Sequence, residues 1–129
     1  MAASREELVR AFVELHRLNK GDRADRLASD AHFWAWERVS EITAAGGDEA
    51  VEVIDDLLHA GGVDDDYIAM VGAGPIQDLL YSDGIAVAAL VAERCRLDAA
   101  WRSALITVLG YELPPEVQRM LQPYMPHAG

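Results

Sequence analysis

Glu52, Asp55, Asp56 and His59 fall at helical spacings of three, four and seven, and Asp64, Asp65 and Asp66 follow shortly after. On one helix face Glu52, Asp56 and His59 would offer two carboxylates and an imidazole, donors that suit a divalent ion. The surrounding pattern argues against it. A di-metal helical bundle needs a Glu-x-x-His pair in two copies, and neither copy is present. Three successive aspartates also lack the alternating spacing and closing Glu of an EF-hand loop. A solvated acidic face accounts for these residues more simply. No metal and no other cofactor is therefore expected, and Glu52, Asp56 and His59 stand as the weaker alternative.

Gly72-Ala73-Gly74-Pro75 is the second chemical candidate, because backbone N–H groups at a helix start can cradle an anion. Phosphate sites add Lys or Arg, and none occurs between Val39 and Glu93. Asp78 lies where its carboxylate would cap those N–H groups instead. Gly72, Gly74, Pro75 and Asp78 are accordingly read as a close helix corner that glycine permits. No nucleophile stands out. His16, His32 and His127 are scattered, no Ser or Cys sits beside a His in a nucleophile motif, and Cys95 reads as a packed small side chain. No catalytic residue is assigned.

The elements that must position these residues are helical, since apolar spacings of three and four dominate and no alternating run competes. Leu8, Phe12 and Leu15 mark a first helix from about Arg5 to Asn19, and Asp22 to Asp30 reads as a connector with room for a short helical turn around Ala24 to Leu27. Asp30 then caps a second helix to about Ala45, with Phe33, Trp36, Val39 and Ile42 facing inward. Gly46-Gly47 ends it, and Asp48 caps a third helix to about Ala60. Asp64 caps a fourth through Val71. Pro75 takes the first position of a fifth helix, which stops at Asp83-Gly84. Ile85 to Arg96 makes a sixth, Asp98 caps a seventh, and Pro114-Pro115 restarts the chain into a last helix. With 129 residues, half of them hydrophobic, this predicts one all-α domain. The expected form is a compact bundle of seven to eight short antiparallel helices, with HEAT-like stacked pairs as one arrangement. Residues 122–129 are expected to form a loose tail. Trp34, Trp36 and Trp101 are expected in the core, with Trp34, off the main stripe, the one suited to a surface contact.

Four segments together resemble one family. They are Phe33-Trp34-Ala35-Trp36-Glu37, then Asp48-Glu49-Ala50 with Ile54, then Gly72 to Leu80, and finally Asp98 with Trp101, Ala104 and Leu105. Their order and spacing are similar to a family of small bacterial proteins, a domain of unknown function whose most recognisable stretch reads GAGPLEDLL, followed shortly by His-Gly. The resemblance implies an all-helical bacterial protein and brings no activity. This chain departs from the pattern in having Gln77 for Glu, Asp83 for His, Gly47 for Pro and Val51 for Trp. If the family's Glu and His were an acid–base pair, that pair is missing here.

Charge separates the function classes. The net charge is −11, and residues 39–93 hold twelve Asp and Glu without one Lys or Arg. Such a field repels nucleic-acid phosphate and anionic lipid and attracts cationic protein surfaces. The longest apolar run, Ile85 to Ala92, is far short of the ~20 residues of a membrane span, and no secretory signal opens the chain, so a cytoplasmic location is expected. The leading expectation is a module that binds a cationic protein, such as an immunity-type antagonist of a nuclease-like toxin. Its contact residues would be Glu52, Asp55, Asp56, Asp64, Asp65, Asp66, Tyr67 and Trp34. Alternatives are an ion-binding protein or hydrolase on the acidic faces, and a structural adaptor or homodimer subunit. The leading reading requires the negative charge to gather over one outer region, uncompensated by cations from the two ends.

Overall fold

The computed structural model describes residues 3–61, 63–108 and 112–125. Helix α1 (Arg5–Asn19) starts at Ser4, whose hydroxyl accepts the Glu7 N–H. Helix α2 (Arg23–Ala28) is capped by Asp22 and passes through a 3₁₀ turn (Ser29–His32) directly into α3 (Phe33–Ala45). Then come α4 (Gly47–Leu58), α5 (Asp65–Val71), a π turn (Gly72–Ile76) and α6 (Gln77–Leu97). Helices α7 (Ala99–Leu105) and α8 (Pro115–Leu121) follow, with a closing 3₁₀ turn at Gln122–Tyr124. Where these pieces abut they form single rods, so the described chain is all-helical, without a strand, in six continuous runs. The expected seven to eight separate helices are thus fewer.

Of two expected breaks, the first is passed within a continuous helix and the second is a kink. Pro75 has no N–H to give, and the ring would clash in an ordinary α-helical turn. The chain widens locally into a π turn, and the Gln77 N–H reaches the Gly72 carbonyl. Gly72 is the glycine this requires, because a Cβ there would overlap the Ala104 carbonyl oxygen of α7. Gly74 is less constrained, its nearest neighbour being the Trp36 ring at 3.3 Å. With helix on both sides of Pro75 there is no free helix start. The corner reading of Gly72 to Pro75 is corrected to a continuous bulged helix, and Asp78 has no N-terminus to cap and is exposed.

The second expected stop becomes a kink at Asp83, with φ −143° and ψ 25°. The displaced turn frees the Asp83 carboxylate to accept the Gly47 N–H at 2.9 Å. Asp83 therefore caps α4 from 36 residues away in sequence, the role expected of Asp48. Gly46 and Gly47 take φ of +74° and +76° to deliver that N–H, a backbone region that side chains with a Cβ rarely enter.

Helix α6 is the hub, with α3, α4, α7 and α8 packed on it. Stacked HEAT-like pairs would instead touch only next neighbours. From α4, Val51, Ile54, Leu57 and Leu58 are buried; Leu79, Val87 and Val91 of α6 and Trp101 and Leu105 of α7 complete the centre. An aromatic group ties α1 to it. Phe12 stacks on Trp36 with ring centroids 5.8 Å apart, and the Tyr67 ring meets Phe12 edge-on. The buried Tyr67 hydroxyl donates to the Leu57 carbonyl at 2.9 Å. Phe33, expected inward, is 51% exposed, because it falls on the side of α3 shared with exposed Glu37 and Glu41, opposite buried Ala35, Val39 and Ile42. Within the expected loose tail, Gln122–Tyr124 are helical and Met125 is buried; residues 126–129 lie outside the described residues.

The close approach of Gly72 to α7 sets an asymmetry between the two motif glycines. Gly72→Ala is expected to cost about 1–3 kcal/mol, the usual range for overpacking a tight interior, and Gly74→Ala clearly less. Urea unfolding midpoints of the two variants measure it.

Candidate functional site

The acidic residues singled out from the sequence do not form one patch. Arg5, at the start of α1, lies 3.9 Å from Glu52 and 3.6 Å from Asp56. Lys20, just past the other end of α1, reaches Asp66 at 2.7 Å and Asp64 at 3.7 Å. The two groups are thus attached near opposite ends of α1, roughly 20 Å apart by the helical rise, and each meets a cation from outside the acidic stretch. Asp64 is further occupied as the cap of α5, accepting the Tyr67 N–H, which with Lys20 holds its carboxyl below the usual range. Asp65 is exposed. Tyr67 is 1% exposed, so its expected role as a surface anchor is corrected to that of a core residue. The contact region expected from sequence is therefore split and partly neutralised.

The alternative ion-binding trio, Glu52, Asp56 and His59, is likewise not assembled. Glu52 and Asp56 turn toward Arg5, whereas His59 turns the other way, toward α7. Its Nε2 lies 2.5 Å from Asp98 Oδ2 and 3.7 Å from Asp55 Oδ1. Asp55 is held from two more sides. The indole N–H of fully buried Trp101 donates to Oδ1 at 2.8 Å, and Arg94 lies 3.2 Å from Oδ2. Asp98 also caps α7 through the Ala100 N–H at 2.8 Å. Burial pushes the Asp98 carboxyl up, but the hydrogen bonds from His59 and the backbone outweigh it and hold it below the ordinary value. In sequence Asp98 shows only as a helix cap. Nothing local signals that it meets His59 from 39 residues away.

Another group of acids makes no direct ion pair among the described residues. Among the described residues, no Lys or Arg nitrogen lies within 4.0 Å of Glu37, Glu41, Asp48, Glu49 or Asp78. Phe33, Glu37 and Glu41 recur every four residues along the outer side of α3 and are exposed. Ser40 and Ala44 of α3 share a shallow depression with Asp78 and Tyr81 of α6, which joins the two helices into one surface. Tyr81 is 42% exposed. Trp34, 38% exposed, faces a neighbouring groove with Arg38 and Glu49. The Phe33-Glu37-Glu41 spacing was readable in the sequence, but assigning Phe33 to the core hid it. A concavity of about 600 Å³ lies elsewhere, between α1 and the end of α4, with Val9, Val13 and Ala60 along it.

Buried Cys95 and partly buried His16 complete the picture. Burial pushes the Cys95 thiol up to about 12, which leaves it protonated and inert at neutral pH. His16 stacks edge-on against Tyr67, and its Nε2 is buried without a hydrogen-bond partner. Burial first, and the charge of Lys20 second, lower its pKa, against the opposing pull of Asp64 and Asp66.

No protein-family model matches the chain, and neither a curated protein nor a solved structure shows significant similarity to it. Among the described residues no helix is long and apolar enough to cross a membrane.

The state of His16 makes stability depend on pH with a definite sign. Its folded pKa lies below its unfolded one, so the unfolded chain binds more protons in the interval between them. That contribution is complete above about pH 6.5, the ordinary histidine value, and is lost as pH falls through the interval just below. The His16→Gln variant removes this loss. Urea midpoints at mildly alkaline and mildly acidic pH should therefore fall more in the parent chain than in the variant.

Proposed function

We propose that this chain is a cytoplasmic protein-binding module for a cationic partner, and that its contact surface is the outer side of α3 with the start of α6. The supporting observation is the set of exposed carboxylates there that lack a cation, Glu37, Glu41 and Asp78, interleaved with exposed Phe33 and Tyr81. Uncompensated charge steers an oppositely charged partner over distances near the Debye length, about 8 Å at physiological salt. Exposed aromatic rings then supply the desolvated contacts on which interface energy concentrates. Its concrete form is an immunity-type antagonist that covers the basic active site of a nuclease-like toxin in a bacterial host, within the family that carries the Gly-Ala-Gly-Pro stretch. Glu52, Asp56, Asp64 and Asp66, already paired with Arg5 and Lys20, contribute little to this field.

The test is capture of a basic protein from the native host at low salt, followed by association kinetics of the purified pair. The association rate is expected to fall at least tenfold between about 0.01 M and about 0.15 M ionic strength. A Glu37→Gln, Glu41→Gln, Asp78→Asn variant should show a similar fall at low salt, while an Asp64→Asn, Asp65→Asn, Asp66→Asn variant should change little. A rate indifferent to salt, or a larger effect from the second variant, would overturn the assignment of the surface.

A further inference from the structure

Three side chains that sequence reasoning never grouped converge on one point. Asp55 lies on the last turns of α4, His59 immediately follows that helix, and Asp98 opens α7. One donor atom from each lies within 4.8 Å of the others. We propose that Asp55, His59 and Asp98 form a binding site for one divalent transition-metal ion of the zinc type. This goes beyond the protein-binding reading and does not depend on it.

The donor set is one imidazole and two carboxylates, a combination zinc accepts, with positions left for water. Zinc binds such donors at about 2.0–2.2 Å, which places neighbouring donors in a tetrahedral site roughly 3.3 Å apart. The His59 Nε2 distances to the two carboxylates, 2.5 Å and 3.7 Å, bracket that value. The His59 side chain is about half exposed, so its ring has the freedom to equalise them without moving either helix.

What distinguishes this trio from an ordinary exposed acidic cluster is how its carboxylates are held. Asp55 is fixed by the indole of Trp101, a residue with no exposed surface, and Asp98 by the backbone N–H of Ala100. Outer-shell donors of this kind orient metal ligands and set their basicity. Each oxygen facing His59 keeps a lone pair for an ion. Asp55 Oδ1 has a second beyond the one taken by the indole, and Asp98 Oδ2 is not the oxygen that caps α7. Arg94 from α6 engages Asp55 through Oδ2, on the side away from His59. Its charge opposes a cation, and the two carboxylates outweigh it.

The competitor is a proton. The His59–Asp98 contact is a hydrogen bond when the imidazole carries hydrogen on Nε2, and the ion must take that position. Binding therefore releases a proton wherever the imidazole is charged, and affinity rises with pH. The groups facing the site are Asp55 from α4, Arg94 from α6 and Asp98 from α7.

The experiment is calorimetric titration of the whole chain with zinc ion alone at pH 8 and pH 6, with thermal unfolding in parallel. One equivalent should bind at pH 8, more tightly than at pH 6, with a rise in Tm. His59→Gln should lower the affinity at least tenfold, and so should Asp98→Asn, which retains a good helix cap. His32→Gln should leave it unchanged. Absence of a saturating equivalent at pH 8 would overturn the proposal. So would binding that survives in either His59→Gln or Asp98→Asn, because the ion would then be held elsewhere. A proton-sharing His–Asp pair without an ion predicts the first of these outcomes.

Discussion

The hydrogen bond from the Trp101 indole to Asp55 is the interaction on which the arrangement around α4 and α7 depends. A large indole in a dry core needs a partner for its N–H, because a buried unpaired donor costs about 1–3 kcal/mol. Asp55 meets that need at 2.8 Å. It also brings a carboxylate to the rim of the core, where the charge must be balanced. Arg94 takes one oxygen, and His59, shared with Asp98, stands beside the other. Three helices are thereby joined through one side chain whose position follows from the packing of a tryptophan.

A second constraint is the continuity of the long α5–α6 rod. Gly72 and Pro75 would each weaken an isolated helix, glycine through its freedom and proline through its missing donor. Burial reverses that preference. Gly72 packs directly on the carbonyl of Ala104, and the Thr107 hydroxyl, just past α7, sits between the Ala104 and Ala69 carbonyls at 2.7 Å and 3.0 Å. Leaving the helix here would strand backbone groups among apolar neighbours, at a higher cost than one widened turn. The same logic operates at Asp83. Its kink is compensated by the cap it provides to α4, and the Ser82 hydroxyl ties that region to the Thr43 carbonyl of α3. Interruptions in sequence are thus points of attachment in the fold.

Charge shows how far linear proximity can mislead. Residues 39–93 contain no Lys or Arg, yet Arg5, Lys20 and Arg94, all from outside that stretch, settle beside its densest acids. Less conspicuous acids, Glu37, Glu41 and Asp78 among them, have no Lys or Arg nitrogen within 4.0 Å among the described residues. Exposed ion pairs add little stability each, but they redistribute the field that a partner meets.

The sequence by itself determined the helical class, the caps at Asp64 and Asp98, and most of the buried stripe, including Val39, Ile54, Leu57 and Trp101. These follow from local physics: the 3.6-residue period, the free N–H groups of a helix start, and the transfer of apolar side chains from water. Tertiary structure alone decided that the Gly-Pro stretch continues the helix, and that Tyr67 is interior while Phe33 is outside. It also decided which cation meets which carboxylate, and that His59 belongs with Asp55 and Asp98. Each of these outcomes turns on a group distant in sequence, whether the carbonyl of Ala104 or the carboxylate of Asp98. Periodicity reports the face a helix buries, and it carries no information about which neighbour that face will find.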